Sequence, residues 1–514
     1  MSRMRSHPVR LVAIAASAIV ALALGWSGVV AVEANAPATA GVTPIADGGS
    51  TTLPTSTGTP GYGTRILMLA PPQNPHLAPN PFSNVHNDAW LTDTARIMGP
   101  SGQDLVVTSN RLADARRDPT SAFFDCGALT FDRHGRIVTV CIGPGEDSLV
   151  MVDPTSLAVL AYLQIPVPTG ESAGYGAAYM FLDDADRAYL TVGDHVWVVA
   201  EQTTAAGPGF VRVADYDLSA AVPSGDGIQS VMPDWQGRLW FMVQQAGVVG
   251  VFDPKTRRTR TVDLAGSISN SFAIDHTTAY VVTTARMYRL DAGVDGRPRI
   301  TWSQPYANVG YTKKGQKSAG SGTSPTILGN GAFVAINDNA DQMHVVAYRT
   351  AAKLGAGERR TVCTVPVFPR GKGASENSLI AWNRSMVIQN TYGYVVDPAT
   401  LRSTPAEPGL ARIDIDADAS GCRVVWSNSA VRVPSVLGKV SLPAGMLYTM
   451  TRVDDPVTAV PAYYWAAIDM RTGDVRWQVL AGTGSAFDGY VPGAAIGPTG
   501  ALYVGLYGGI ASAR

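Results

Sequence analysis

Pro75–Thr94 (PHLAPNPFSNVHNDAWLTDT) is the densest polar stretch in the first part of the chain, with His76, His86, Asn87, Asp88 and Asp93. Imidazole and carboxylate are both metal-ligand types, and an imidazole has a pKa suited to general-base work. His86 is therefore a candidate base for activating a water, with Asp88 as its catalytic companion. Local turn-making by Asn and Asp competes with that reading. Further along come Asn337-Asp338-Asn339, Glu376-Asn377 and Asn390. Their side-chain oxygens are the hard ligands that calcium takes. Glu376, Asn377, Asn390 and Asp338 thus form a candidate calcium set, with Asx-turns as the structural alternative.

Two other motifs carry less. Gly170-Glu171-Ser172-Ala173-Gly174 matches the G-x-S-x-G nucleophile elbow, which needs a strand before it and a helix after it. Here Pro166 and Pro168 precede it and a strand pattern follows, so it reads as a loop. The basic run Lys313-Lys314-Gly315-Gln316-Lys317 reads as a solvated loop able to meet an anion. No P-loop, dinucleotide fingerprint or HExxH motif occurs.

The balance of 40 Lys+Arg against 41 Asp+Glu gives a net charge of −1, which argues against nucleic acid as a partner. Residues 1–10 carry three Arg and no acid, Leu11–Val32 is uncharged, and Ala34-Asn35-Ala36 follows. This reads as a signal peptide over 1–36, with an uncleaved membrane anchor as the alternative and the only route to membrane contact. Residues 37–63, rich in Ala, Thr, Gly, Pro and Ser, read as a flexible linker. The four cysteines, 126, 141, 363 and 422, are an even number in an exported chain, and no CxxC occurs. Cys126 and Cys141 flank a short turn, so a Cys126–Cys141 bridge across a hairpin and a Cys363–Cys422 bridge are expected. Four buried thiols are the alternative.

The elements that must position these groups repeat. GALTFDRHGRIVTV, AAYMFLDDADRAYLTV and SVMPDWQGRLWFMV each hold a strand, an Asp-led turn ending in Arg, and a second strand. Their leading acids are Asp132, Asp183 and Asp234, and five degenerate copies follow with a mean period of about 52 residues. A second turn recurs as VDPTSL (152–157), FDPKTR (252–257), VDPATL (396–401) and IDMRTG (468–473). Two hairpins per unit make four short strands, and a four-stranded unit at this period predicts a blade of an all-β propeller. Eight blades are expected over 64–514, with seven as the alternative. The last unit lacks an outer strand, which Thr64–Ala70 or Asp104–Ser109 would supply to close the ring.

The segment 467–477 (AIDMRTGDVRW) resembles the tryptophan-docking motif of quinoprotein-like propellers, with Ala467, Asp469, Thr472, Gly473 and Trp477 in place. Leu290-Asp291 with Trp302, and Ile415-Asp416 with Trp426, are partial copies. The resemblance implies that each Trp stacks on the neighbouring blade. Quinoprotein dehydrogenases of that fold hold their quinone with an adjacent-Cys disulfide, and this chain has no Cys-Cys pair, so no quinone is expected. The first functional expectation is a binding module for a protein, glycan or small molecule. The second is a calcium-dependent hydrolase or lactonase, as in gluconolactonase- and paraoxonase-type propellers, and the third a quinone-type oxidoreductase.

Overall fold

The Asp-led turns show why this sequence makes hairpins. Asp132 Oδ1 accepts from the amides of His134 and Arg136, both at 2.8 Å, and its other oxygen takes Arg136 Nε. Asp183 does the same with Ala185, Arg187 and the Arg187 side chain. Asp234 repeats it with Gln236, Arg238 and the Arg238 side chain. The fourth turn residue, Gly135, Asp186 or Gly237, has positive φ in each case. Asp, a residue tolerant of left-handed backbone, and Arg at the fifth position thus form one self-satisfied turn.

The computed structural model describes residues 41–112, 125–143, 146–166, 179–205, 207–397, 400–489 and 492–514. The expected signal peptide and Gly170–Gly174 motif lie outside them. The described chain forms eight blades of four-stranded antiparallel sheet. In order they span 125–165, 181–217, 228–263, 273–305, 326–366, 380–428, 439–483 and 494–513. First strands such as Thr326–Leu328 and Ile380–Trp382 are wholly buried, whereas outer strands such as Cys422–Asn428 face solvent. Burial therefore grades from the axis to the rim. Within a blade, the turns joining strands one to two and three to four share one face of the ring, here the turn face. The connections from strand two to three and from blade to blade share the opposite, loop face.

Val107–Asn110 pairs antiparallel with Gly509–Ala513 as the outer strand of blade 8 and closes the ring. Thr64–Ala70 instead crosses the turn face, where Ile66 N donates to Leu442 O. In place of a free linker, the described part of 37–63 is bound to the rim. Ser56–Gly58 adds a fifth strand outside Val475–Thr483 of blade 7. Thr51 and Thr52 bond the Asp455 carboxylate, and Thr483 bonds Asp47. The composition suggested a linker, but its glycines are there for contact: a Cβ on Gly58 would meet Arg476 O at 2.4 Å.

Both expected disulfides are present. Cys126–Cys141 joins directly paired residues of blade 1. Cys363–Cys422 ties the outer strand of blade 5 to that of blade 6. Two disulfides indicate an oxidising environment. No helix of the described residues is long and apolar enough to cross a membrane.

The Trp contacts follow the partial copies. Trp302 Nε1 of blade 4 donates to Thr350 O of blade 5 at 3.3 Å. Trp426 Nε1 of blade 6 donates to Met470 O of blade 7 at 3.1 Å. Trp477, in the full motif, meets Gly102 of the segment leading to the closing strand. The VDPATL turn also moves: in blade 6 it lies in the connection from strand two to strand three, on the loop face, while 153–157 and 253–257 are strand three-to-four turns.

Candidate functional site

Residues 74–95 lie on the ring axis, because one short segment bonds the first strands of seven blades in turn. Phe131 N of blade 1 donates to Phe82 O, and Leu182 N of blade 2 to Ser83 O. Asn74 Nδ2 donates to Pro233 O of blade 3. Ile274, Ile327, Ala381 and Val440, of blades 4 to 7, donate to the carbonyls of Ala89, Trp90, Thr92 and Asp93. Leu77, Ala89, Trp90 and Leu91 add apolar surface to the core of blades 3 to 5. The segment also touches Gly237 and Gly331, both in strand one-to-two turns. It therefore fills the channel from the turn face.

His86 and Asp88 belong to this plug and do not pair with each other. His86 Nδ1 lies 3.1 Å from Asp93 Oδ2. The opposite oxygen of Asp93 pairs with Lys439 Nζ, which also donates to Val85 O. Asp93 and Lys439 are 0% and 1% exposed. Asp88 accepts from the amides of Trp90 and Thr92 and from the Thr92 hydroxyl, so it builds the turn beneath His86. Burial pushes its carboxyl up to about 7, in opposition to those bonds. Burial lowers the Lys439 pKa, and Asp93 opposes that. The sequence signalled His86 but neither Asp93's role nor Lys439, since that pair joins residues 346 positions apart.

The four residues of the expected calcium set share the loop face. Asp338 takes the amides of Ala340 and His344 and, at 2.7 Å, His344 Nδ1. Asn390 Oδ1 takes the amides of Ala374 and Tyr392. Asn377 Nδ2 donates to Gln389 and Val436 O. Glu376 Oε1 accepts from Lys317 N at 2.9 Å, and burial pushes its carboxyl up to about 7. Asp338 and Asn390 are thus Asx-type turn builders. Among the described residues, no three His, Cys, Asp or Glu side chains group closely enough to hold a metal. The basic run is likewise not a solvated loop throughout: Lys313 is 7% exposed, and its ammonium ties Ala340 O to Gly373 O.

The loop face opens instead where a connection of blade 6 meets blade 7 and the N-terminal segment at Gly48, in a cleft of about 430 Å³. Its wall carries Arg402, Arg452, Ser403, Tyr463, Thr458 and Ser485, and no carboxylate. Behind the wall, Asp488 is fully buried and takes the Ser403 hydroxyl. Tyr394 Oη lies 3.1 Å from its other oxygen. Arg452 bonds Ser403 and, at 2.7 Å, Asp454. Burial raises the Asp488 carboxyl, while Ser403, Tyr463 and Arg452 oppose that. None of this was visible in the sequence as a motif, because the wall joins blades 6 and 7 to Gly48 of the N-terminal segment.

Asp147, at the loop-face end of blade 1, provides a pH test. It is 2% exposed, Oδ1 has no partner among the described residues, and burial alone pushes the carboxyl up to about 7. Between the ordinary value of 3.8 and about 7, the folded chain holds a proton that the unfolded chain has lost. Stability from this group is therefore full at low pH and lost as pH rises through that window. Asp147→Asn mimics the protonated form. Its urea midpoint relative to the parent should rise between about pH 4 and about pH 7. An unchanged difference would mean that Asp147 ionises as freely folded as unfolded.

No protein-family model matches the chain. An uncharacterized protein of Archaeoglobus fulgidus is 26% identical over 324 residues, 56% of this chain and 61% of the relative's length. Among solved structures, a streptogramin B lyase is similar over 80% of this chain and 97% of its own, at 10% identity and a TM-score of 0.39. The periplasmic gluconolactonase of Pseudomonas aeruginosa is similar over 63% and 92%, at 15% identity and a TM-score of 0.38. At scores this low neither likeness supports an argument about activity, and the propeller fold rests on the chain's own strand pairings.

Proposed function

We propose that this chain is an exported binding module that takes a small-molecule or glycan ligand on its loop face. The observation that carries the reading is the cleft between blades 6 and 7. At about 430 Å³ it falls in the size range of small-ligand sites. Its wall mixes an aromatic side chain with hydroxyls and guanidinium donors, the composition that orients a polar ligand. The plug supports the same choice of face, since it fills the channel from the turn face. Disulfides and an N-terminal segment with signal-peptide character both fit export.

The test is a thermal-shift and calorimetric screen of mono- and disaccharides, sugar acids and short peptides against the parent and Ser485→Trp. Ser485 lines the cleft and is half-buried, so an indole there fills space without entering the core. A true ligand should bind the parent and lose at least tenfold in the variant, with the unliganded melting temperature kept. Ligands that bind both proteins equally, or a screen with no binder, would sink the reading.

A further inference from the structure

The two sides of the cleft are built by the same turn. In 397–401, Leu401 N donates to Asp397 O at 2.7 Å, and the Thr400 hydroxyl bonds the Asp397 carboxylate. In 455–459 (DPVTA), Ala459 N donates to Asp455 O at 2.9 Å, and Asp455 Oδ1 takes the amides of Val457 and Thr458. Leu401 and Ala459 have φ of 55° and 58°. Leu157 and Arg257 hold the same place in the ordinary outer turns, with φ of 63° and 54°. Among the described residues, this turn sits on the loop face only in blades 6 and 7, where it aims the next residues at the cleft: Arg402 on one side, Val460 and Pro461 on the other.

Arg402 is exposed, and its guanidinium has no ion-pair partner among the described residues. Arg452, on the same wall, is 8% exposed and held in place by Asp454 and Ser403. A fixed guanidinium and a free one, with serine and threonine hydroxyls between them and no acid on the wall, make an anion site. A guanidinium presents a planar fork that matches a carboxylate.

We infer that the cleft recognises a carboxylate-bearing ligand through Arg402, with Arg452 and the hydroxyl of Ser485 completing the site. This rests on the binding-module reading and narrows it. Two sources share the chemistry: an acidic sugar and a peptide C-terminus.

The experiment measures calorimetric affinity with four probes on the full mature chain: digalacturonate, the neutral disaccharide maltose, a tripeptide with a free C-terminus, and its C-terminal amide. One acid probe should bind, its neutral counterpart should bind at least tenfold more weakly, and affinity should fall with added salt. Arg402→Ala should cost tenfold or more, and Arg402→Lys should restore part of the loss. Because Arg402 is exposed, both variants should melt with the parent. Digalacturonate binding assigns a sugar acid, and tripeptide binding a chain terminus. Neutral probes that bind as well as the acids would overturn the inference and leave the binding module standing. So would acid binding that Arg402→Ala does not change. If none of the four binds at millimolar concentration, the inference falls, and only a broader ligand screen that also fails takes the binding module with it.

Discussion

Asp93→Ala should cost about 3–5 kcal/mol of stability, the loss expected when one partner of a buried ion pair is removed. Asp93 and Lys439 are both buried at the ring axis, and the carboxylate also orients His86. Without it, Lys439 Nζ keeps only the carbonyl of Val85 as a partner among the described residues. The ammonium must then lose its proton or draw water into the channel, and either loosens 74–95 from the first strands. The cost belongs to the uncompensated charge and not to the pair's net worth. Asp93→Leu combined with Lys439→Met should therefore recover most of the lost stability. Urea midpoints of the two single variants and the double variant measure this, and limited proteolysis should cut within 74–95 in Asp93→Ala first. A double variant as unstable as the worse single one would mean that the pair is needed for shape and not for charge balance.

What the sequence made legible follows from how local each feature is. The Asp-led turn is closed by its own residues, so its spacing in sequence is its spacing in the fold, and Asp132, Asp183 and Asp234 could be aligned by eye. The first disulfide was readable for the same reason, since Cys126 and Cys141 lie in register across one hairpin. The plug was not readable. Its bonds to the first strands join 74–95 to seven different blades, so no window of sequence holds both partners. His86 and Asp88 stood out as polar neighbours, but within the plug His86 Nδ1 pairs with Asp93 and Asp88 with Thr92, while His86 Nε2 has no partner among the described residues. The calcium set shows the same limit: Asp338, Glu376 and Asn390 do share a face, and Asn and Asp are equally good at closing their own loops, so residue type alone does not choose between ligand and turn. VDPATL was recognised as a turn of the right kind and misplaced. The motif specifies a conformation and says nothing about which face of the ring it lands on. That misplacement matters, because on the loop face the turn carries Arg402 to the cleft.

Loss of Cys363–Cys422 should weaken the protein more than loss of Cys126–Cys141. In the chain-entropy account, a bridge across 59 residues contributes about 4 kcal/mol and one across 15 residues about 3 kcal/mol. The locations widen that gap. Cys126 and Cys141 are already held by strand pairing and lie in a buried core. Cys363 and Cys422 sit on the outer strands of two blades, the least buried strands in the ring, where little apolar surface resists separation. The substitutions must respect those surroundings. Cys363→Ser with Cys422→Ser places hydroxyls at half-buried sites, whereas Cys126 and Cys141 are 0% and 1% exposed and should be replaced by Ala to avoid an unsatisfied buried hydroxyl. Urea unfolding of the two double variants, with the parent measured with and without reductant, compares them directly. The blade 5–6 variant should unfold at the lower urea concentration, and reductant should carry the parent toward it. If the blade 1 variant is instead the weaker one, the ring gains its hold from packing near the axis, and the outer strands need no covalent tie.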